Sequence, residues 1–213
     1  MEHEFWHTRW EKREISFHEG EPNSFLVKHF PCLGLEKGAR VFLPLCGKTR
    51  DIAWLLEQGC RVAGVELNET AVEELFDELG LHPEVEEVDE HLHYSAAGLD
   101  VYLGDVFDLS SGLLGPVDAV YDRAALVALP SQTRPLYTAH LQDVTSRAPQ
   151  LVITFQYDQS QMEGPPFSIP YAELERHYDE AFHIEQLESR LVEGTLKGKV
   201  EATESICHLR RRL

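Results

Sequence analysis

Gly47-Lys48-Thr49 and, further along, Glu66 are the residues whose types and placement first suggest chemistry. The triplet is the tail of a phosphate-cradling loop, and a carboxylate closing a strand can take the hydroxyls of a ribose. A complete phosphate loop also needs a glycine five positions before Gly47, where the chain has Phe42. A dinucleotide site needs glycines where Pro44, Leu45 and Cys46 stand, because the backbone must approach a pyrophosphate closely. Both phosphate readings fail at this bend. What fits is a nucleoside-containing ligand without phosphate, held between Leu45-Cys46-Gly47 and Glu66. S-adenosylmethionine is such a ligand, and it also needs a polar site for its adenine after a later strand. Asp105, followed by Val106, closes the run Val101-Tyr102-Leu103 and is placed for that task.

These residues require particular elements to hold them. Val41 to Leu45 and Val62 to Val65 are short apolar runs that read as buried strands. Between them Ile52, Trp54, Leu55 and Leu56 have helical spacing, and Gly59 ends the helix. Strand, tight turn, helix, strand is a βαβ unit, and ligands of such sheets sit outside the carboxyl ends of the strands. By the same rule Asp122-Arg123, closing the run Pro116 to Tyr121, marks a second place for active-site residues. An arginine there either pairs with Asp122 or Asp105 structurally, or holds an anion with its paired donors.

The 213 residues suit one domain with a sizeable core. A formal charge of −18 argues against nucleic acid, whose binding rests on basic residues, and against an anionic membrane surface. The four cysteines are scattered without C-x-x-C spacing, so zinc or a disulfide framework is not expected. His91-x-His93 lacks a third ligand at fixed spacing and reads as two residues on one face of an exposed strand. No metal is expected. No run approaches the ~18 apolar residues of a membrane span, and acids stand near the start where a secretion signal would be basic. A cytoplasmic monomer acting on a small molecule is the expectation.

Five blocks, in order, resemble the thiopurine S-methyltransferase family of class I methyltransferases. They are Trp6-x-x-x-Trp10, Ile15 to Glu21, V-F-L-P-L-C-G-K-T-R-D-I-A-W-L with V-A-G-V-E-L-N-E-T-A-V, the later V-Y-D-R-A-A-L-V-A-L, and G-P-P-F-S-I-P at Gly164 to Pro170. The resemblance covers the chain to about residue 175 and is weaker in the last forty residues. It implies an α/β, Rossmann-like fold with a seven-stranded, mostly parallel sheet, helices on both faces and a C-terminal antiparallel hairpin. It implies one methyltransferase domain over residues 1–213, with residues 1–30 forming a helical lid in which Trp10 contacts the cofactor. Phe17 is implied to lie against the substrate ring, and Arg123 beside both cofactor and substrate. The implied activity is methyl transfer from S-adenosylmethionine to aromatic or heterocyclic thiols such as 6-mercaptopurine, with selenium and tellurium compounds in bacterial members. In one segment, Leu191 to Lys197, the chain offers Glu193 where a second basic residue would face the substrate.

The remaining chain reads as follows. Helices are expected over residues 4–13, from Pro22 to Phe30, after an Asn68 cap up to Gly80, at Ala124 to Leu129, and over Ser131 to Arg147 with Leu136, Tyr137, Leu141 and Val144 facing the sheet. Leu99 to Leu103 and Leu151 to Phe155 are strands, Ala172 to Tyr178 a short helix, and Phe182 to Leu187 with Ser205 to Leu209 the closing pair. The Gly164–Pro170 loop walls the substrate pocket, with Phe167 as its aromatic. Arg210-Arg211-Arg212 is a frayed tail. No obligatory base is expected, since no carboxylate–His pair stands out at the strand ends and the donor is already activated. The rival functions are a nicotinamide-dependent oxidoreductase using the same βαβ unit, and a non-catalytic binding module.

Overall fold

The computed structural model describes residues 3–14 and 20–212. Helix α1 (His3–Glu11) is followed by α2 (Ser24–His29), whose cap is Asn23, its side chain accepting the Phe25 N–H. The expected helix from Pro22 is therefore shorter, because the side chain of Asn23 fixes its start one residue before Ser24. Then come β1 (Arg40–Pro44), α3 (Arg50–Glu57) and β2 (Arg61–Glu66). The two strands are parallel, from Arg40 beside Arg61 to Pro44 beside Val65. β1 is buried along its whole length, as a parallel strand covered on both faces must be. Helix α4 (Glu69–Leu79) begins at Asn68, whose side chain accepts the Ala71 N–H, and ends at Gly80 in the left-handed conformation, φ 65°.

The chain continues through β3 (Glu84–Val88), β4 (His91–Ala96), β5 (Leu99–Leu103), the short α5 (Ser111–Leu114), β6 (Ala119–Asp122), α6 (Arg134–Val144), β7 (Gln150–Gln156), α7 (Tyr171–Tyr178), β8 (Phe182–Leu191) and β9 (Thr203–Arg211). Among the described residues nine strands form one sheet, in the order β3-β4-β5-β2-β1-β6-β7-β9-β8. The five from β5 to β7 are parallel; β8–β9 is the antiparallel closing hairpin. The sheet thus has nine strands rather than the expected seven, because β3 and β4 extend it antiparallel beyond β5. β3 carries Glu84, Glu86 and Glu87 and is exposed over four of its five positions, so no apolar alternation announces it.

Two apolar layers sandwich the sheet, and neighbouring residues of β1 serve opposite ones. Val41 and Leu43 pack with Phe25, Ile52, Leu55, Val72 and Phe76 from α2, α3 and α4. Phe42 packs with Tyr137, Leu141, Leu174 and Tyr178 from α6 and α7. Leu136 of α6 is 66 % exposed, the buried face being Tyr137, Thr138, Leu141 and Val144. A residue one step before Tyr137 is turned about 100° away on a 3.6-residue helix. Residues 124–129 contain only a 3-10 turn, Leu126–Ala128, since the Asp122 carboxylate draws in the Leu126 N–H at 3.0 Å. His91 is buried, its Nε2 3.1 Å from the Asp105 carbonyl, and His93 pairs with Asp100 and stacks on Tyr102. The basic tail is tied down: Arg210 pairs with Glu185, and Arg212 with Asp179.

Candidate active site

At the carboxyl ends of β1, β2, β6 and β7 the chain encloses a cavity of about 790 Å³. That lies within the ~300–1,000 Å³ range of small-molecule sites. Its floor begins at the turn after β1. Leu45 takes φ 49° and Gly47 φ 52°, so a non-glycine residue holds the left-handed conformation beside a glycine that holds it without strain. The same occurs after β6, where Ala124 has φ 63°. Both strained residues line the cavity. Such backbone is retained where the surroundings fix it, and it clusters at ligand sites.

Glu66 explains how the first turn is fixed. Its Oε2 accepts the Gly47 N–H at 2.7 Å, and its Oε1 accepts the N–H groups of Leu67 at 2.8 Å and Asn68 at 2.9 Å. A carboxylate offers about four acceptor positions, so Oε2 keeps one for a ligand hydroxyl. Burial pushes the Glu66 carboxyl above its ordinary range, while the three N–H groups pull against that shift. Beneath the turn, Cys46 packs on Gly64, where an added Cβ would sit 2.7 Å from the sulfur. Burial first, and Glu66 next, hold the Cys46 thiol well above its ordinary value, which disfavours its thiolate.

Of the residues expected at the site, Trp10, Leu45, Gly47, Glu66 and Arg123 line this one cavity. Trp10 is 4 % exposed, with Trp6 and Arg9 beside it on the cavity face of α1. Arg123 lies with its Nη1 4.0 Å from Asp51 Oδ2. Asp105 and Val106 are not among the lining residues. They sit at the adjoining strand end, joined to β2 through the Gly104 N–H to the Glu66 carbonyl at 2.8 Å. There Asp105 accepts the Phe107 N–H at 3.0 Å, and Val106 is buried. Phe167 is not a lining residue either: its ring lies 5.2 Å from the Arg134 guanidinium, while Pro165 and Pro166 supply that wall. Phe17 and His18 lie outside the described residues.

The sequence reading missed part of the wall. Lys197, with φ 53°, lines the cavity and donates from Nζ to the Pro165 carbonyl at 2.8 Å. Burial, and then Arg9 and Lys199, hold its amine below the ordinary value. Glu193, expected where a second basic residue would face the substrate, lines the cavity as well, so with Lys197 the segment supplies both signs. Arg190 and Glu204 form a further wall pair at 2.7 Å, the guanidinium lying 4.0 Å from the Phe25 ring. Only the position of Lys197 between Gly194 and Gly198 hinted that this segment turns back on itself. Among the described residues no helix is long and apolar enough to cross a membrane.

A mixed sheet with parallel central strands and a C-terminal antiparallel hairpin, with a carboxylate closing β2 over a glycine-poor bend, is that of a class I S-adenosylmethionine-dependent methyltransferase. Solved structures agree on the fold. A TehB-like S-adenosylmethionine-dependent methyltransferase from Corynebacterium glutamicum matches with TM-score 0.58 and 12 % identity, over 99 % of this chain and 98 % of that one. The 1,6-didemethyltoxoflavin-N1-methyltransferase of Burkholderia thailandensis matches with TM-score 0.63 and 20 % identity, over 97 % and 86 %. The family follows from sequence: the thiopurine S-methyltransferase model matches residues 1–212. The thiopurine S-methyltransferases of Xanthobacter autotrophicus and Teredinibacter turnerae are 54 % and 46 % identical to the chain. These alignments cover 99 % and 100 % of this chain, and 100 % and 99 % of the relatives. The chain belongs to the thiopurine S-methyltransferase family and is an S-adenosylmethionine-dependent enzyme.

Proposed function

We propose that the chain is a single catalytic domain, with residues 1–30 as its lid, that methylates small aromatic or heterocyclic thiols, thiopurines such as 6-mercaptopurine among them. The observation that carries the reading is the convergence of Trp10, Leu45, Gly47, Glu66 and Arg123 on one cavity. Selenium and tellurium compounds are the second acceptor class, their selenols being ionised more readily still. No nucleic acid partner is proposed for a chain of charge −18.

In this reading the bend at Leu45 and Gly47, with the spare acceptor of Glu66, holds the ribose side of the donor. Asp105 and Val106 hold the adenine side at the next strand end. When bound, S-adenosylmethionine supplies a methyl group on a cationic sulfur. Trp6 and Trp10 cover that sulfur with aromatic faces, which attract cations and exclude water. Arg123 remains charged at any working pH and favours the anionic form of an acceptor thiol beside it. Phe17 is the aromatic residue proposed for the acceptor side, together with the apolar wall of Phe155, Pro165 and Pro166. The chain's work is alignment: about 3 Å between acceptor sulfur and methyl carbon, in line with the leaving sulfur. No obligatory general base takes part.

The test is methyl transfer from labelled S-adenosylmethionine to 6-mercaptopurine, a selenol and a plain aliphatic alcohol. S-methyl and Se-methyl products with no alcohol product support the reading. Labelled product from the alcohol alone would overturn it.

A further inference from the structure

Helix α1 and the carboxyl end of β2 are joined by a run of hydrogen bonds that the proposed chemistry does not use. Glu66 Oε1 accepts the Asn68 N–H at 2.9 Å, and Asn68 Oδ1 accepts the Ala71 N–H at 3.1 Å to cap α4. The other end of that amide, Nδ2, lies 3.1 Å from His7 Nδ1. Because the cap occupies Oδ1, the group facing His7 is the NH2, so Nδ1 must accept and the ring carries its proton on Nε2. Asn68 is itself 5 % exposed, so its amide is held in one orientation.

The contact has a mechanical consequence. α1 is only nine residues long, too short to be stable alone, and its position rests on what it packs against. Its Arg9–Glu14 ion pair stays within its own segment. The ion pair from Arg13 to Glu74 does reach α4, but the Arg13 side chain is 62 % exposed and such pairs contribute little. His7–Asn68 is a directional tie between the two elements, and it starts from the same carboxylate that fixes the Gly47 turn. His7 stands three residues before Trp10, and so on a neighbouring side of the helix from the cavity-lining tryptophans.

We propose that His7 and Asn68 form the latch that seats α1 over the donor end of the cavity in register with Glu66. They are positioning residues for retention of the methyl donor. The proposal rests on the methyltransferase reading of the cavity and adds to it the residues that hold its cover.

Calorimetric titration of S-adenosylhomocysteine into the full chain tests it, with hydrogen exchange of the α1 amides as a second readout. His7→Ala is expected to weaken binding about 5- to 10-fold, the worth of one hydrogen bond, and to speed α1 exchange. His7→Asn presents an acceptor oxygen at the reach of Nδ1 and should restore both to within about 2-fold. Asn68→Ser keeps an oxygen for the helix cap but removes the NH2 that faces His7, and should match His7→Ala. Joined in one chain, the His7→Ala and Asn68→Ser effects should not add. Normal binding and exchange in His7→Ala, or His7→Asn behaving like His7→Ala, overturns the latch alone. No binding by the unaltered chain overturns the cavity reading and the latch with it.

Discussion

Arg123 Nη1 stands 4.0 Å from Asp51 Oδ2, joining the carboxyl end of β6 to the first turn of α3 across the cavity floor. Asp51 is 1 % exposed and also accepts the Asn23 N–H at 2.6 Å and the Tyr121 hydroxyl at 3.1 Å. One buried carboxylate therefore ties α2, β6 and the cavity arginine to the helix that follows the Gly47 turn. Its removal strands two buried donors at once. Asp51→Ala should lower the unfolding free energy by about 3 kcal/mol. Urea denaturation checks this, and a loss below about 1 kcal/mol would contradict it.

Asp122 gives a pH prediction with a definite sign. It is fully buried, and desolvation pushes its carboxyl up to about 6, although the Leu126 N–H and the Tyr137 hydroxyl at 2.7 Å favour the ionised form. A folded-state value above the unfolded one means the protonated form favours folding. That contribution is complete below about pH 3.8 and is lost as the pH rises through about 6, a span of about 3 kcal/mol. Asp122→Asn should flatten the stability profile between those limits. A variant with the slope of the unaltered chain would show that another group titrates.

Gly64 and Cys46 supply a paired test of the cofactor bend. A Cβ at residue 64 would come 2.7 Å from the Cys46 sulfur, and the sulfur sits inside the turn that presents Gly47. Gly64→Ala should weaken donor binding about tenfold by displacing that turn. Adding Cys46→Ala removes the sulfur and should recover most of the loss. Calorimetry on the single and double variants reads both, and a double variant no better than Gly64→Ala would contradict the packing argument.

The proposal that no obligatory base takes part has its own check. His18 follows Phe17, the residue that the family resemblance implies to lie against the acceptor ring. His18→Ala should retain kcat toward 6-mercaptopurine to well within the ~100-fold loss expected for a missing general base. A larger fall with the melting temperature unchanged would overturn alignment as the whole of catalysis.

Local signals made the centre of the fold legible. β1, α3 and β2 announce themselves by apolar runs and helical spacing, and Asn68 and Gly80 bracket α4 as cap and stop. The turn at Gly47 and the acid at Glu66 were readable because a strand end and its bend are adjacent in sequence. β3 was not, since its exposed acids carry no apolar period. The role of Asp51 was hidden for a different reason. An acid in the first turn of a helix looks the same whether it faces water or, as here, Tyr121 and Asn23 from distant segments. Lys197 reaches Pro165 across 32 positions of chain, and Phe167 turns to Arg134 instead of the cavity. Such outcomes depend on tertiary packing that no local pattern encodes.

The central claim is that Glu66 and the Gly47 bend grip a phosphate-free adenosyl ligand. Titration of S-adenosylhomocysteine and of NAD into the unaltered chain and into Glu66→Ala measures it directly. The expected result is saturable binding of S-adenosylhomocysteine, none of NAD, and a loss of about 1.5–3 kcal/mol in Glu66→Ala, the worth of a hydrogen bond to a charged group. Binding of NAD in preference, or an affinity for S-adenosylhomocysteine that Glu66→Ala leaves unchanged, would contradict it.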